Sequence, residues 1–389
     1  MLMKIMKLYT KKNICDFCNS KLTVSYKPIN TKRNVITFFC NNCNLLQSIP
    51  QKNFKSYPKP SMSFDADRSS IMYTKELVLP SHISFFKKHK INFKNYNSIL
   101  DIGSNRGSFI SFISSKNKDA KIVAVESRKN VIKKYKNFKN FKNVKNYNIR
   151  YEQFKTKTKF DFIYNVHTLE HFTSCLLGLR KMHDSLKLSG KIFLAVPNIN
   201  YYDPSTFEEL FIDPHTFHFT HNTLVNYFNK VGLKIIKKNI DGDELQYLLV
   251  KMNNKDIKNK KSKKTLMFDK KGSLLNYAKK IQKSRKKIEQ QAEKLKKLSK
   301  KNHVVFWGAG RIFDGIVKLG KIKPTKQFKV VDKALYKYFK KIHGFKLFKP
   351  NDLEKKQHNN ILVVCSRQYK MEIINYTRKY SFKKTIAIT

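Results

Sequence analysis

Residues 101–107 have the composition of a ligand-binding turn. Asp101 follows a short apolar run, and Gly103 and Gly107 come soon after it. Glycine lets a backbone approach a ligand closely, and a helix beginning after the turn would offer free N–H groups. A second apolar run ends at Glu126, where a carboxylate can accept hydrogen bonds from both ribose hydroxyls of a bound nucleoside. The spacing therefore predicts a nucleoside site at the carboxyl ends of two neighbouring strands.

The arrangement of glycines excludes two other nucleotide-binding motifs. Asn105 occupies the middle glycine position of Gly-x-Gly-x-x-Gly, and no Gly-Lys-Ser/Thr follows, as a P-loop requires. With an acid before its first glycine, the turn is similar to the glycine-rich motif of class I methyltransferases. That resemblance implies a site for S-adenosyl-L-methionine, with Asp101 and Gly103 near the methionine portion and Glu126 on the ribose.

The segment after this motif continues the resemblance. A predicted strand at 160–166 leads to the tripeptide Leu-Glu-His, a helix, a turn at 187–190 and a strand that ends at Pro197. In the superfamily the acid and histidine, here Glu170 and His171, shape the donor pocket or pack beneath it. The residues predicted to bind the cofactor are Asp101, Gly103, Ser104, Asn105, Gly107, Glu126 and His167. A histidine placed as His167 is, alternatively, an ordinary loop residue.

Two Cys-x-x-Cys pairs lie close to the amino terminus, Cys15 with Cys18 and Cys40 with Cys43. Two such turns bring four thiolates to the corners of a tetrahedron, which suits Zn²⁺ and its preference for soft ligands. Because four thiolates leave no position for water, the sequence predicts a structural zinc ion. The alternative is four unrelated reduced thiols. We interpret the two remaining cysteines as core residues, since their neighbours are apolar.

The order of these features resembles the zinc-containing C-methyltransferases that act on nucleotide-linked ketodeoxysugars. That family joins a four-cysteine zinc module, a class I methyltransferase domain and a C-terminal Rossmann-like domain entered through a long helix. Here the last domain would open at 304–311, with Gly308 and Gly310 in its turn. Phe313 stands where a third glycine would be needed, so the turn is not predicted to bind a dinucleotide. The alternatives are a sugar-phosphate contact and a wall of the substrate cleft.

Methylation of a carbon beside a ketone requires a base that removes the α-proton. The resemblance places this base after the fifth strand, where His215 matches the family histidine and Pro214 replaces the acid before it. Asp213 and Glu209 are the alternative orienting acids. Histidine suits the role because its reference pKa of ~6.5 lies near neutrality. The predicted catalytic residues are His215, His218, Tyr57 and Tyr73. The other interpretation of the two histidines is that they stabilise a loop over the cleft.

Three other functions compete with C-methylation of a nucleotide-linked sugar. A sugar O-methyltransferase needs only the same donor and a positioned base. An RNA methyltransferase is a more distant alternative, because Pro197 and Asn198 follow a valine and do not form the Asn/Asp-Pro-Pro-Tyr/Phe signature. A zinc-containing scaffold without catalysis would be favoured by loss of Asp101 or Glu126, and both are present.

Five segments follow from these patterns: a four-cysteine module at 1–52, a connector or substrate cap at 53–90, a methyltransferase domain at 91–250, a Lys-rich helical linker at 251–302 and a C-terminal Rossmann-like domain at 303–389. Alternating apolar runs and helical patterns predict parallel sheets. The predicted fold class is therefore α/β, a central class I methyltransferase domain with an N-terminal zinc ribbon-like module and a smaller Rossmann-like domain. In the linker, apolar residues at 4-3-4-3 spacing predict a long helix.

The chain of 389 residues carries 81 Lys and Arg against 27 Asp and Glu, a formal net charge of +54. Such an excess suits a polyanionic partner such as RNA. It is spread along the chain and accompanies many Asn, Ile, Phe and Tyr, which share AT-rich codons with Lys, so we interpret it as compositional drift. No apolar run approaches the ~18 residues of a membrane span, and we expect a cytoplasmic enzyme. The sequence does not indicate the oligomeric state.

Overall fold

The structure is a computed structural model that describes residues 13–26, 35–50, 78–129, 143–201, 215–253, 266–267, 273–354, 356–366 and 369–388. The chain divides into two compact units, one within Met1–Ser273 and one made up mainly of Leu274–Thr389. Among the described residues, no helix is long and apolar enough to cross a membrane.

The described residues of the first unit form two β-sheets and four α-helices. Its strands are β1 Thr23–Tyr26, β2 Val35–Phe39, β3 Leu46–Pro50, β4 Ser98–Ile102, β5 Lys121–Val125, β6 Val144–Tyr147, β7 Phe160–Val166, β8 Leu186–Pro197, β9 Phe217–His218, β10 Leu233–Asn239 and β11 Glu244–Lys251. Its helices are α1 Val78–Lys88, α2 Ser108–Lys116, α3 Cys175–Ser185 and α4 His221–Val231, with 3₁₀ turns at Phe93–Asn95 and Leu169–His171.

The larger sheet has the strand order β10-β11-β8-β7-β4-β5-β6. Strands β8 to β6 are parallel, and β11 runs antiparallel to both β8 and β10. Successive residues of β4 enter different cores, Ile99 on one face and Leu100 on the other. Since β4 lies between β5 and β7, the connections on its two sides diverge, which opens a crevice at its carboxyl end.

The smaller sheet joins the cysteine module to the rest of the unit. Its order is β1-β2-β3-β9, all antiparallel. The last pairing is long-range, because Leu46 in β3 lies opposite His218 in β9. Phe17 from the module and Tyr227 from α4 belong to one continuous hydrophobic core. The module is therefore packed directly against the helices beside the larger sheet.

The predicted α/β class with Rossmann-like parallel sheets is confirmed. The one local error is the turn expected at 187–190. These residues lie within β8, where the pairing with β7 shifts register between Phe160 and Phe162. Gly190 packs so closely on Leu186 and on the carbonyl of Phe160 that a Cβ there would approach each to 2.8 Å.

The second unit is a smaller α/β layer. Its elements are α5 Ser273–Ser299, β12 His303–Trp307, α6 Arg311–Gly320, β13 Phe328–Val331, β14 Lys341–Ile342, β15 Phe345–Phe348, β16 Asn360–Val364, α7 Lys370–Thr377 and β17 Lys384–Ala387. The sheet order is β14-β15-β13-β12-β16-β17. Helix α5 buries Ile288, Ala292 and Leu295 of the predicted apolar stripe, and Ala292 packs on Gly320 of α6.

Candidate active site and zinc centre

The four N-terminal cysteines converge as the sequence predicts. The Sγ atoms of Cys15 and Cys43 are 3.4 Å apart, those of Cys18 and Cys40 are 3.4 Å apart, and those of Cys18 and Cys43 are 3.7 Å apart. Four sulfurs at 2.3 Å from a central Zn²⁺ would be separated by about 3.8 Å. All six cysteines of the chain are free of disulfides. The donor set and its spacing therefore fit a zinc ion.

Asp16, inside the first cysteine pair, attaches the module to the amino terminus of α3. Its Oδ1 accepts a hydrogen bond from the Ser174 hydroxyl at 2.5 Å, and its Oδ2 accepts from the Leu176 N–H at 3.0 Å and the Tyr227 hydroxyl at 2.9 Å. A carboxylate is favourable there because the first N–H groups of a helix are unpaired and carry partial positive charge. Phe17 packs edge-on against Tyr227, with ring centroids 5.1 Å apart.

The donor turn, residues 103–107, connects β4 to α2 with three residues in the left-handed region. The φ angles are +75° at Gly103, +43° at Asn105 and +69° at Gly107. A Cβ at Gly103 would lie 2.0 Å from the Thr168 Oγ1, so only glycine fits against the loop after β7. Gly103 is therefore required by its backbone conformation and by close packing, and Gly107 is favoured by its positive φ.

Unpaired polar groups surround this turn. Both carboxylate oxygens of Asp101, the Ser104 hydroxyl and the side-chain amide of Asn165 are buried without a hydrogen-bond partner among the described residues. Burial, together with the charge of Glu126, raises the pKa of Asp101 well above its usual value. Buried polar groups are normally paired, so this cluster has the character of a site whose partners belong to a ligand. It fits the charged and polar methionine portion of S-adenosylmethionine.

Glu126, directly after β5, holds the donor turn from the other side. Its carboxylate accepts hydrogen bonds from the Asn105 N–H at 3.0 Å and the Arg128 N–H at 2.9 Å. The Arg128 guanidinium donates to Glu126 at 3.2 Å and to the Asn105 side chain at 3.1 Å. The residue assigned to the ribose thus also shapes the turn, and Arg128 lies beside it.

A chain of histidines and carboxylates crosses the carboxyl edge of the larger sheet and comprises the buried His82 and Glu170 and the half-buried Glu244 and His167. His82 contacts the Tyr164 hydroxyl at 2.7 Å through Nδ1 and the Glu244 carboxylate at 3.1 Å through Nε2. The Nε2 of His167 lies 2.8 Å from Glu244, and its Nδ1 lies 3.6 Å from Glu170. Burial opposes protonation of His167, but the two carboxylates outweigh it and raise its pKa to about 10.

The acceptor cluster, defined as Glu170, His171 and His215, lies at the end of this chain. The Nε2 of His171 is 3.8 Å from Glu170, and the rings of His171 and His215 have centroids 4.8 Å apart. The Thr216 N–H donates to the Glu170 carbonyl at 2.8 Å, which fixes the His215 loop against the 3₁₀ turn. Glu170 and His171 follow two and three residues after Thr168, which contacts the donor turn at Gly103.

His218 has different surroundings from His215. It is buried, and its Nε2 lies 2.6 Å from the Ser48 hydroxyl of β3. Burial, together with the charge of His215, lowers its pKa well below the usual value. His218 therefore links the β3–β9 pairing to the acceptor side as a neutral side chain.

The structure brings together the predicted donor residues, and it places His215 beside Glu170 and His171. Tyr57, Tyr73, Glu209, Asp213 and Pro214 lie outside the described residues. His167 lies beside the donor turn, held between two carboxylates. Sequence reasoning missed Asn165, Thr168, His82 and Glu244. Asn165 is the last buried residue of β7, and Thr168 is the second residue after the end of that strand. Both lie where the carboxyl end of a parallel strand could have been inspected for ligand contacts. His82 and Glu244 carry no local signal, because their pairing depends on the tertiary fold.

The glycine turn of the second unit is satisfied internally. Gly308 has φ of +100°, and a Cβ there would lie 2.9 Å from the Cys365 carbonyl oxygen. Asp332 accepts hydrogen bonds from the N–H groups of Ala309, Ala334 and Leu335, at 2.9, 2.9 and 2.7 Å. These contacts explain the turn as a structural feature, and no ligand role is assigned to it.

Comparison with known proteins gives the class of the first unit. Residues 72–238 match a family described as a methyltransferase domain. No curated protein matches the chain. Among solved structures, a methyltransferase from Clostridium acetobutylicum is 12% identical, with a TM-score of 0.39, and covers 49% of this chain and 100% of its own. The 1,6-didemethyltoxoflavin-N1-methyltransferase of Burkholderia thailandensis is also 12% identical, with a TM-score of 0.40, and covers 59% of this chain and 100% of its own.

The first unit thus contains a class I methyltransferase domain. With that domain match and the donor turn, the protein is an S-adenosylmethionine-dependent methyltransferase.

Proposed function

We propose that the protein methylates a nucleotide-linked sugar, at a carbon beside a ketone. The observation that carries this proposal is the position of the acceptor cluster directly beside the donor turn. Thr168 contacts Gly103, and Glu170 and His171 follow it two and three residues later. A donor site and a group of proton acceptors are therefore adjacent, which is what methyl transfer to a weakly acidic carbon or hydroxyl requires.

On the donor side, Asp101 and Ser104 would hold the methionine portion and Glu126 the ribose. The Asp101 carboxylate has no hydrogen-bond partner among the described residues. The ammonium group of the ligand would be its partner. Bound S-adenosylmethionine supplies an electrophilic methyl group. The four cysteines would hold a zinc ion that maintains the module and, through β3, the position of β9 and its His218.

On the acceptor side, we propose that His215 promotes removal of the acceptor proton. Pro214 removes the acid that the resembling family carries before this histidine. Glu170 is the described carboxylate nearest to its place, because its ligand atom lies within 4.8 Å of those of His171 and His215. Glu170 is itself held by His167. It would stabilise positive charge on the histidine pair, which is the role expected of an orienting acid.

O-methylation of a sugar hydroxyl is the second candidate, and Pro214 favours it. Loss of the acid beside the basic centre should impair removal of a proton from carbon more than removal of a proton from a hydroxyl. We also propose a reducing, cytoplasmic location, in which the cysteine thiolates stay available to zinc. Nucleic acid is a less favoured acceptor.

The experiment uses the purified full chain with S-adenosylmethionine and a panel of nucleotide-linked sugars and ketodeoxysugars. We expect methylation of one of them, with deuterium exchange at the α-carbon without donor if carbon is the acceptor. His215→Ala should lower turnover by roughly 10²–10⁴-fold and leave affinity for S-adenosylhomocysteine nearly unchanged. His183→Ala is the matched control, because His183 lies in α3 beside the exposed Asp184.

Three results would count against the proposal. Full activity of His215→Ala would place the acceptor centre elsewhere. Methylation of RNA or of an amino compound, with no nucleotide sugar accepted, would overturn the substrate class. Methylation without any α-carbon exchange would replace C-methylation by the second candidate.

A further inference from the structure

We infer that the acceptor cluster of Glu170, His171 and His215 binds a divalent metal ion, separate from the cysteine site. Each residue offers one ligand atom, and these atoms all lie within 4.8 Å of one another. Two imidazole nitrogens and a carboxylate oxygen form a ligand set used by first-row divalent metals. The inference deepens the proposed function and rests on it, because the ion would act on the acceptor.

The state of Glu170 is an independent observation that indicates a cation. The side chain is 1% exposed, and neither carboxylate oxygen has a hydrogen-bond partner among the described residues. Its nearest imidazole nitrogens, in His167 and His171, are 3.6 and 3.8 Å away, which is longer than a normal hydrogen bond. A buried carboxylate that lies near histidines but accepts no hydrogen bond is costly. A metal ion between the three side chains would bind it directly.

The backbone of the turn and of the loop holds the three ligands in place. The 3₁₀ turn Leu169–His171 carries two of them on consecutive residues. The third is carried by a loop whose Thr216 donates its N–H to Glu170 and accepts one from the Ser48 N–H of β3, both at 2.8 Å. This loop is therefore fixed to both the turn and the cysteine module.

The neighbouring histidines are engaged elsewhere and frame the site. His167 lies 2.8 Å from Glu244, and His218 lies 2.6 Å from Ser48. Such outer contacts orient the ligands of metal sites and are part of their design. His167, next to Glu170, would act as a positioning residue rather than as a ligand.

The position of the site gives the ion a chemical role. Three protein ligands leave coordination positions open, as in catalytic metal sites. A keto or hydroxyl oxygen of the acceptor can bind there, next to the donor turn. The ion would stabilise negative charge on that oxygen and lower the pKa of the acceptor, whose proton leaves to solvent. His215 would then promote deprotonation as a metal ligand rather than as the proton acceptor.

Manganese is the probe that separates this site from the cysteine site. Mn²⁺ prefers oxygen and nitrogen ligands, whereas four thiolates favour zinc. The zinc-replete full chain is titrated with Mn²⁺, free Mn²⁺ is followed by electron paramagnetic resonance, and zinc is measured in parallel. We expect about one Mn²⁺ per chain. Glu170→Gln, His171→Ala and His215→Ala should each weaken Mn²⁺ binding by at least tenfold, and His183→Ala should not.

Circular dichroism and thermal unfolding of each variant show that it is folded. Absence of Mn²⁺ binding to the wild-type chain would overturn the inference. Mn²⁺ binding to all three cluster variants that is as tight as to the wild type would also overturn it. Sugar methylation at full rate after Mn²⁺ is removed with zinc retained would also overturn it, while leaving the proposed function intact. Mn²⁺ binding that is lost in the cluster variants supports the site whether or not the sugar assignment holds.

Discussion

The Asp101 carboxylate is 1% exposed and accepts no hydrogen bond from the described residues. The charge of Glu126 acts on Asp101, and burial together with the charge of Asp101 in turn raises the pKa of Tyr164. Burial and the Glu126 charge raise the pKa of Asp101, so the ligand-free protein favours its protonated form. Donor binding favours the ionised form, because the ligand brings an ammonium group. Folding and ligand binding therefore make opposite demands on one side chain.

Asp101→Asn is predicted to stabilise the ligand-free protein at neutral pH while weakening donor binding. The folded-state pKa of Asp101 is raised, so its favourable contribution is complete below the unfolded pKa of ~3.9 and is lost as pH rises through the folded value. The stability gain from the amide should therefore be larger at pH 8 than at pH 5. Calorimetric unfolding at both pH values measures it, and each kcal/mol corresponds to roughly 2–4 °C in a unit of this size. An equal or lower melting temperature for the variant at pH 8 would contradict the burial argument.

At the scale of single residues, the donor site could be predicted because its elements are local. The acid, the glycines and the strand residues around them lie within a few positions of each other, and glycine at φ of +75° is a requirement that sequence expresses directly. The acceptor side could not be predicted in the same way. Glu170 lies near His215 only because β9 pairs with β3 and fixes the loop before it, a contact between segments far apart in the chain.

At the scale of elements, the cysteine module is attached in two places. Hydrogen bonds join it to the amino terminus of α3, and strand pairing joins it to β9. Asp16 binds α3 and Tyr227, and Leu46 and Gln47 pair with β9. The module was predictable from the spacing of its cysteine pairs. Its attachment was not, because a two-residue strand such as β9 has no sequence signature of its own.

Replacement of Cys15 or Cys43 by Ser should remove about one zinc per chain and make the module sensitive to protease. A small four-cysteine module depends on its metal for folding energy. Elemental analysis and limited proteolysis measure the two effects. Cys365→Ala is the control, because Cys365 lies in the second unit, and this variant should keep its zinc. A wild-type protein that is folded and contains no metal would refute the zinc assignment.

Asp16→Ala should lower the unfolding free energy of the first unit by about 1–3 kcal/mol, the cost of leaving buried donors unpaired. Ser174, Leu176 and Tyr227 all lose their acceptor. Denaturant unfolding measures the change, and Asp241→Ala, at an exposed position, is the matched control. Equal destabilisation by both variants would show that Asp16 does not attach the module.

At the scale of the whole molecule, the net charge of +54 is the feature least explained by the site. The described donor and acceptor residues use carboxylates and histidines, and the basic residues are spread over both units. Helix α5 shows the pattern clearly, since it buries Ile288, Ala292 and Leu295 and its lysines account for much of the rest of its sequence. We therefore retain compositional drift as the interpretation of the charge.

If drift is correct, binding to random-sequence RNA should be weak at physiological salt and should fall steeply as salt rises. That behaviour is expected of non-specific phosphate contacts, whose affinity depends on counterion release. Filter binding or fluorescence anisotropy over a salt series measures it. Tight binding to one RNA that persists at high salt would instead favour an RNA acceptor.

The central claim is that the turn after β4 and the acid after β5 bind the methyl donor. Isothermal titration with S-adenosylhomocysteine tests it directly, on the wild-type chain and on Asp101→Ala and Glu126→Ala. Asp184→Ala is the control, because this exposed acid contacts His183 at the end of α3. We predict micromolar or tighter binding to the wild type and the control, and at least tenfold weaker binding to both site variants. Undiminished affinity in both variants would contradict the account.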